Sequence, residues 1–367
     1  MKNDYSKVPC CIMRGGTSKG VFFYEDDIPP EGKARDAFLC AVMGSPDVRQ
    51  INGLGGADPL TSKVAIVKKS DRLDADIDYT FAQVSLTSGT VDYNGNCGNI
   101  TSAVGLFAVE EGIVTVKGQS VLVRILNKNT NKILKVDVPC ENGRPARSGN
   151  YAIDGVPGKG PKLNLDFSET GGAVSGKLLP TGKLVDHLNV SGYGVLDATI
   201  VDIANPVVFV RAVDLGLKGD ETPEDIACMP DLLSVLECIR GVAAQKIGLV
   251  DDWKRAQDCS PAIPLLAIVS HAKDEKASLT SRLIFMQTMH KTYSGTAAVC
   301  TAVAAKIPGT IPYTYAKQST ADFLIAHPAG YMMVEIEVRI EKENILIQKA
   351  AFGRTARRLI EGYVYTL

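Results

Sequence analysis

The chain contains no apolar run approaching the roughly 20 residues needed to cross a bilayer, so no membrane span is expected. Its start, Met1 to Tyr5, is polar, and the apolar stretch after it is too short for an export signal, which reads as a cytoplasmic protein. Histidine is scarce. Only His187, His271, His290 and His327 are present, with no HExxH and no compact His/Asp/Glu group, so metal catalysis is disfavoured and neither metal nor cofactor is expected. The nine cysteines include no CxxC pair, and their odd number argues for reduced thiols rather than a disulfide framework or a zinc site. Excess charge is also missing: 40 Lys plus Arg stand against 41 Asp plus Glu, a net charge of −1. Nothing therefore attracts nucleic acid or an anionic membrane, and any anionic ligand must be held by local groups.

What is present is an ordinary globular composition, 45% hydrophobic and 22% charged over 367 residues, a length that suggests two domains. Short apolar runs read as strands at Val8–Met13, Gly20–Tyr24, Val64–Val67, Tyr79–Leu86, Val121–Leu126 and Ile133–Val138. Glu31–Met43 has helical composition, and the Gly- and Pro-rich stretch from Asn142 to Lys162 reads as a loop. A second block begins near Leu188, with strands at Ala198–Ile203, Val207–Val210, Pro264–Ser270 and Leu283–Thr288. Between them Pro223–Val250 reads as helical, broken near Met229-Pro230, and the tail Arg357–Leu367 contains a β-like Tyr363-Val364-Tyr365. The expected domains are residues 1–187, joined by the tail 350–367, and residues 188–349.

An internal echo organises these blocks. Asn96-Cys97-Gly98-Asn99 leads into Ile100–Val109, uncharged until Glu110; Ser294-Gly295-Thr296 leads into Ala297–Ala305, uncharged until Lys306. A helix that is apolar all round is a buried helix, so each block reads as a sheet wrapped around one central helix, an α+β architecture of two similar halves. Gly112 and Pro308-Gly309 are natural stops for the two helices. A helix N-terminus offers unpaired amides and a partial positive charge, so two such starts suit a ligand with two carboxylates.

Chemistry-bearing residues cluster near these starts. Cys97 opens the first helix, where the local field favours a thiolate, although a buried small hydrophobe is the bland alternative. Lys63 stands at the mouth of the strand Val64–Val67, after a Gly-rich bend at Gly53–Gly56. It reads either as a desolvated base or as a solvated strand-end lysine like Lys68 and Lys69. The turn Arg14-Gly15-Gly16-Thr17-Ser18-Lys19-Gly20 has the amides and hydroxyls to cradle an anion without the spacing of a Walker loop. His290-Lys291 offers positive charge close to Ser294.

Taken together, Met13–Gly20, Thr61-Ser62-Lys63-Val64, Asn96-Cys97-Gly98-Asn99 and Gly353-Arg354-Thr355-Ala356-Arg357-Arg358-Leu359 resemble, in order, the signatures of the 2-methylaconitate isomerase family, relatives of diaminopimelate epimerase. Asn205-Pro206 resembles a substrate-holding Gly-Asn-Pro-His segment of the epimerases, with Ala204 and Val207 replacing its Gly and His. The resemblance implies a diaminopimelate epimerase-like fold with the active site between pseudosymmetric halves, and Cys97 and Lys63 as the acid/base pair. Thr17, Ser18, Lys19, Gly98, Asn99 and Thr101 would bind one carboxylate, and Asn205, Lys291, Ser294, Gly295 and Thr296 the other. Epimerases set a cysteine in each half. Here Ser294 occupies the second position and Cys300 lies too far inside the helix to replace it, which favours an allylic proton shift over two-thiol racemisation.

Activities in the family include isomerisation of 2-methylaconitate, tautomerisation of 4-oxalomesaconate and conversion of methylitaconate to 2,3-dimethylmaleate; the last is the expected reaction. A tricarboxylate would need one more cation, from Arg282 or Lys291. An amino-acid epimerase and a non-catalytic diacid-binding protein are the readings of other kinds. Enzymes of this size commonly form homo-oligomers, a base rate that the residues neither support nor oppose.

Overall fold

Period-two burial sets the strands of this protein and two uncharged helices set its centres. The computed structural model describes residues 6–318, 322–342 and 344–366, so Met1–Tyr5 and Leu367, at the ends of the expected first domain, lie outside the described residues. The chain divides into two compact units, Met1–Leu165 with Arg354–Leu367, and Asp166–Gly353.

In unit 1, β1 (Ser6–Gly15) and β2 (Ser18–Tyr24) form a hairpin, followed by helix α1 (Lys33–Met43). Next come β3 (Lys63–Lys69), β4 (Ile77–Val84), the short β5 (Val91–Asp92) and helix α2 (Gly98–Glu110). The last elements before the unit boundary region are β6 (Ser120–Asn127), β7 (Lys132–Glu141) and the short β8 (Arg144–Pro145). The terminal strand Ala356–Thr366 returns to pair antiparallel with β1. From there the sheet runs β1 antiparallel to β2, β2 parallel to β3, β3 antiparallel to β4, β4 parallel to β6 and β6 antiparallel to β7.

This sheet curls around α2, whose residues from Gly98 to Val109 are all buried. Along β7, Leu134, Val136, Val138 and Cys140 are buried while the residues between them are half-exposed, the alternation of a strand with one face inward. Gly105 of α2 lies against Val136, where an added Cβ would stand 2.7 Å from Val136 Cγ1. The opposite face of β2, β3 and β4 is covered by α1: Leu39, Val42 and Met43 pack with Val21, Phe23, Val64, Ile66, Ala82 and Val84. Strand β3 is thus buried on both faces, which is why it reads as an unbroken apolar run.

Unit 2 repeats the plan. Strands Gly194–Ile203 and Asn205–Arg211 are antiparallel, the latter runs parallel to Leu265–Ser270, which is antiparallel to Leu279–Phe285. Leu279–Phe285 runs parallel to Phe323–His327, which is antiparallel to Gly330–Glu341. Helix Gly295–Ala304 is buried throughout, and helix Pro230–Lys246 covers an outer face through Leu236, Ile239 and Ala243. Each unit therefore has the same order of antiparallel and parallel steps, with its outer helix after the second strand of the plan and its central helix after the fourth. The α+β class and the echo between halves follow directly from this.

Several details differ from the sequence reading. The division falls at Leu165/Asp166 rather than near 187 because residues 166–187 are tied into unit 2. Phe167 stacks on Phe352 with centroids 5.5 Å apart, and the Asp202 carboxylate accepts from Val174 N at 2.9 Å and Ser175 N at 2.6 Å. The strand expected at Leu283–Thr288 is instead the end of Leu279–Phe285, a turn, and Thr288–Met289. That turn uses Met286 (φ 51°) and Gln287 (φ 59°), left-handed residues without the Gly or Asn that normally advertises such a bend. Among the described residues no helix is long and apolar enough to cross a membrane.

Candidate active site

The turn between β1 and β2 is a two-residue loop, Gly16-Thr17, with Gly15 opposite Ser18 and Gly16 at φ +50°. Its glycines serve close approach. A Cβ on Gly15 would lie 2.1 Å from the Asn99 carbonyl oxygen, and one on Gly16 2.1 Å from Asn99 Oδ1. The loop therefore rests directly on the first turn of α2. Arg14 Nη1 donates to Gly16 O (2.9 Å) and Thr355 O (2.8 Å), and Gly16 N donates to Thr355 O (2.9 Å), fixing the loop to the returning chain.

Asn99 is the hub of this contact. Its Nδ2 donates to Thr17 Oγ1 at 2.9 Å and Ser18 Oγ at 3.4 Å, while Oδ1 accepts from Arg354 Nε at 2.9 Å. Burial pulls the Arg354 guanidinium down to about 10, against the opposing pull of Tyr151 and Cys97. Lys19 pairs with Arg14 across the hairpin, is half-buried, and its amide donates to Leu60 O at 3.0 Å, joining the hairpin to the loop that leads into Lys63.

Cys97 is the N-cap residue of α2, with φ −119° and ψ 98°, and makes no side-chain cap bond. The first-turn amides are thus not claimed by the residue that usually claims one, and an anion can take them. Thr101 lies beneath: its N–H and its Oγ1 both donate to Cys97 O at 2.9 Å, and the residue is fully buried. Its hydroxyl thus ties the first turn of α2 to the backbone of Cys97.

Lys63 is only 3% exposed, unlike Lys69 at the far end of the same strand, which removes the solvated strand-end reading. It lies between Gly20 of β2 and Gln83 of β4, with Nζ donating to Gln83 Oε1 at 2.6 Å and lying 5.1 Å from the centre of the Phe81 ring. Burial lowers its pKa below the ordinary 10.5, opposed by the charge of Cys97, by Asp58 and by a hydrogen bond with Cys97. Lys63 and Cys97 are therefore direct partners.

Between the lowered folded value and the ordinary 10.5, the unfolded chain binds more protons than the folded one, so stability rises with pH there. Below that window the buried ammonium is a standing cost, and its desolvation outweighs its hydrogen bonds with Gln83 and Cys97. Lys63→Met is expected to raise the melting temperature at neutral pH, measured by circular dichroism. A lower value would mean that the partners of Lys63 more than offset its burial.

In unit 2, Ser294 caps helix Gly295–Ala304, its Oγ accepting from Ala297 N at 3.2 Å. Asn205 Nδ2 donates to Thr296 Oγ1 at 3.1 Å, following Ala204 in a left-handed conformation (φ 62°). Gly295 is demanded by Phe352, whose Cζ would lie 2.3 Å from an added Cβ. Asn205, Ser294, Gly295 and Thr296 thus gather at one helix start, whereas Lys291 is exposed on the preceding loop. Arg282 is buried and donates to Glu221 O (2.6 Å) and Ser281 O (3.1 Å), which corrects its expected availability as an extra cation. Cys300 is buried inside the helix with Sγ donating to Val201 O at 3.2 Å, and burial pushes its thiol well up.

The sequence reading assigned no role to Gln83 or Arg354. Arg354 had a signal, its place in the Gly353–Leu359 signature; Gln83 had none, because only strand register brings it to Lys63. Among the described residues no group of three or more His, Cys, Asp or Glu is placed to hold a metal ion.

Comparison with known proteins supplies a context for this geometry. A family model described as PrpF protein matches residues 5–367. The sequence is 48% identical to 3-methylitaconate isomerase of Eubacterium barkeri, over 99% of this chain and 98% of the relative. It is 36% identical to 2-methyl-aconitate isomerase of Shewanella oneidensis, over 98% and 96% of the two chains. The crystal structure of a methylitaconate-delta-isomerase superposes with a TM-score of 0.79 at 47% identity, covering 99% of this chain and 96% of that one. A hydroxyproline epimerase from Agrobacterium vitis, at 11% identity and a TM-score of 0.60 over 98% and 92% of the chains, shares the fold alone.

Proposed function

Because the chain belongs to the PrpF protein family, we propose that it is a cofactor-independent isomerase converting methylitaconate to 2,3-dimethylmaleate by an allylic proton shift. The contact between buried Lys63 and Cys97, beside a helix start whose N-cap side chain makes no cap bond, carries the reaction class. The likeness to 3-methylitaconate isomerase carries the choice of substrate.

The substrate carbon that bears hydrogen and methyl lies α to one carboxylate and next to the methylene-bearing carbon. One member of the Lys63/Cys97 pair takes that proton, leaving a dienolate whose charge rests on the carboxylate oxygens. The amides at the start of α2, with no cap bond from the Cys97 side chain, would stabilise such charge more than the ground state. The other member gives a proton to the terminal methylene carbon, which becomes a methyl group as the double bond moves inward. Atoms and charge balance, and proton transfer across the Lys63–Cys97 hydrogen bond restores the starting state.

In this reading Thr17, Ser18, Lys19, Gly98 and Asn99 bind the substrate through hydroxyls, amides and charge, and Thr101 holds Cys97 in place. Asn205, Lys291, Ser294, Gly295 and Thr296 are assigned to substrate binding on the chemistry of their helix start. A reactive thiol at Cys97 also fits a reducing compartment, the cytoplasm.

Proton NMR in D₂O tests the reading, with methylitaconate, 2-methylaconitate, 4-oxalomesaconate and diaminopimelate in separate samples. Deuterium entering the new methyl group of the 2,3-dimethylmaleate formed from methylitaconate is the expected result. Exchange in 2-methylaconitate or 4-oxalomesaconate alone would keep the reaction class and replace the substrate. Exchange at the α-carbon of diaminopimelate would make the protein an epimerase, and no exchange by folded protein in any sample would end the proton-shift reading for these compounds.

A further inference from the structure

Gln83 lies in β4 directly opposite Lys63 in β3, an antiparallel pair whose side chains share one face. Both residues are buried, Gln83 at 1% and Lys63 at 3% exposure. Gln83 Nε2 donates to Ser62 O at 2.9 Å and to Pro59 O at 3.1 Å. These carbonyls accept only, so they dictate which way round the amide lies, and its oxygen has to face the lysine. The backbone that supplies them is itself fixed: Ser62 Oγ donates to Val84 O at 2.8 Å and accepts from Gln50 Nε2 at 2.7 Å. Gln50 Oε1 in turn accepts from Ala57 N at 3.1 Å.

We propose that Gln83 is the positioning residue of the proton-transfer site, its locked amide oxygen holding Lys63 Nζ in contact with Cys97. The proposal rests on the reading of Lys63 and Cys97 as the acid/base pair. An amide suits this task because it accepts from either an ammonium or an amine and adds no net charge. Cys97 at the start of α2 and Asp58 on the loop before β3 are the titratable groups whose charge reaches Lys63. Gly20 on β2 and Phe81 and Gln83 on β4 contribute none. A carboxylate at position 83 would add a full negative charge at hydrogen-bond distance and hold the lysine protonated.

The test compares wild type, Gln83→Met, Gln83→Glu and Lys63→Ala by kcat, KM, pH–rate profile and thermal melting. A second readout needs no substrate: titration of the Lys63 side chain by NMR in protein carrying ¹³C at lysine Cε, its signal identified by its loss in Lys63→Ala. Gln83→Met should lower kcat about 10–100-fold with KM changed less than about threefold, because orientation rather than binding is lost. Gln83→Glu should move the Lys63 titration, and the limb of the rate profile that follows it, upward by about one pH unit or more. Wild-type kcat in Gln83→Met together with an unmoved Lys63 titration in Gln83→Glu would overturn the proposal, even with Lys63→Ala inactive. A fully active Lys63→Ala would instead overturn the acid/base reading on which the proposal stands. If Gln83→Met melts too low for kinetics, the Lys63 titration in Gln83→Glu decides; if Gln83→Glu does, kcat and KM of Gln83→Met decide.

Discussion

Cys97→Ala and Lys63→Ala are each expected to lower kcat by about 10³-fold or more, within or beyond the 10²–10⁴-fold range of a single positioned acid or base. The pair acts as a unit, one partner removing a proton and the other returning one, so the double variant should be hardly slower than either single variant. The fold should survive both changes. Cys97 makes no side-chain cap bond to α2, so its loss leaves the helix start intact. Lys63→Ala opens a space beside Gln83 and Phe81 but also removes a buried ammonium, and these effects oppose each other. Rates followed by the appearance of the methyl signal, with melting curves for each variant, separate catalysis from folding. A variant with near-normal rate would remove its residue from the mechanism, and strictly multiplicative losses would show that the two act in separate steps.

The same two residues mark how far a sequence can be read. The uncharged stretches after Asn99 and Thr296 announced central helices because no solvent-facing side exists on them, and both are buried along their length. The glycines of the β1–β2 turn announced a bend, though not that they exist to admit Asn99. Lys63 was ambiguous, since a lysine at a strand end looks the same whether solvent or a neighbouring strand lies beyond it. Only the pairing of β3 between β2 and β4 distinguishes Lys63 from Lys69. Gln83 was invisible for the same reason, because register is a property of two strands and not of either alone.

The tail Arg357–Leu367 reads as containing a β-like Tyr363-Val364-Tyr365, whereas the strand spans Ala356–Thr366 and follows the strands Gly330–Glu341 and Asn344–Arg354. In the second half of Gly330–Glu341 the exposed Glu337, Arg339 and Glu341 alternate with Val338 and Ile340, so that stretch lacks the unbroken apolar run of β3. Arg354 ends the last of these internal strands and reaches Asn99 by a contact spanning most of the chain, which no local pattern encodes.

Gly15→Ala is expected to damage both stability and activity, the former by about 1–3 kcal/mol, as for other additions to a filled interior. The new Cβ would stand 2.1 Å from the Asn99 carbonyl oxygen and 3.1 Å from Ala103 Cβ. Those neighbours are the backbone and the shortest side chain of α2, so no rotamer change can make room. Either the hairpin lifts from α2 or the helix start shifts. Lifting the hairpin weakens the bonds from Asn99 to Thr17 and Ser18, and shifting the helix moves Cys97 away from Lys63. A displacement near 1 Å at a proton-transfer pair costs about 10²-fold in kcat. Gly89→Ala is the matched control, since a Cβ there meets nothing within 4 Å and the residue carries no left-handed φ. Melting temperature and kcat measured on both variants make the comparison. A Gly15→Ala protein as stable and as fast as Gly89→Ala would show that the turn and the helix start move independently, and that the contact between them does not set the position of Cys97.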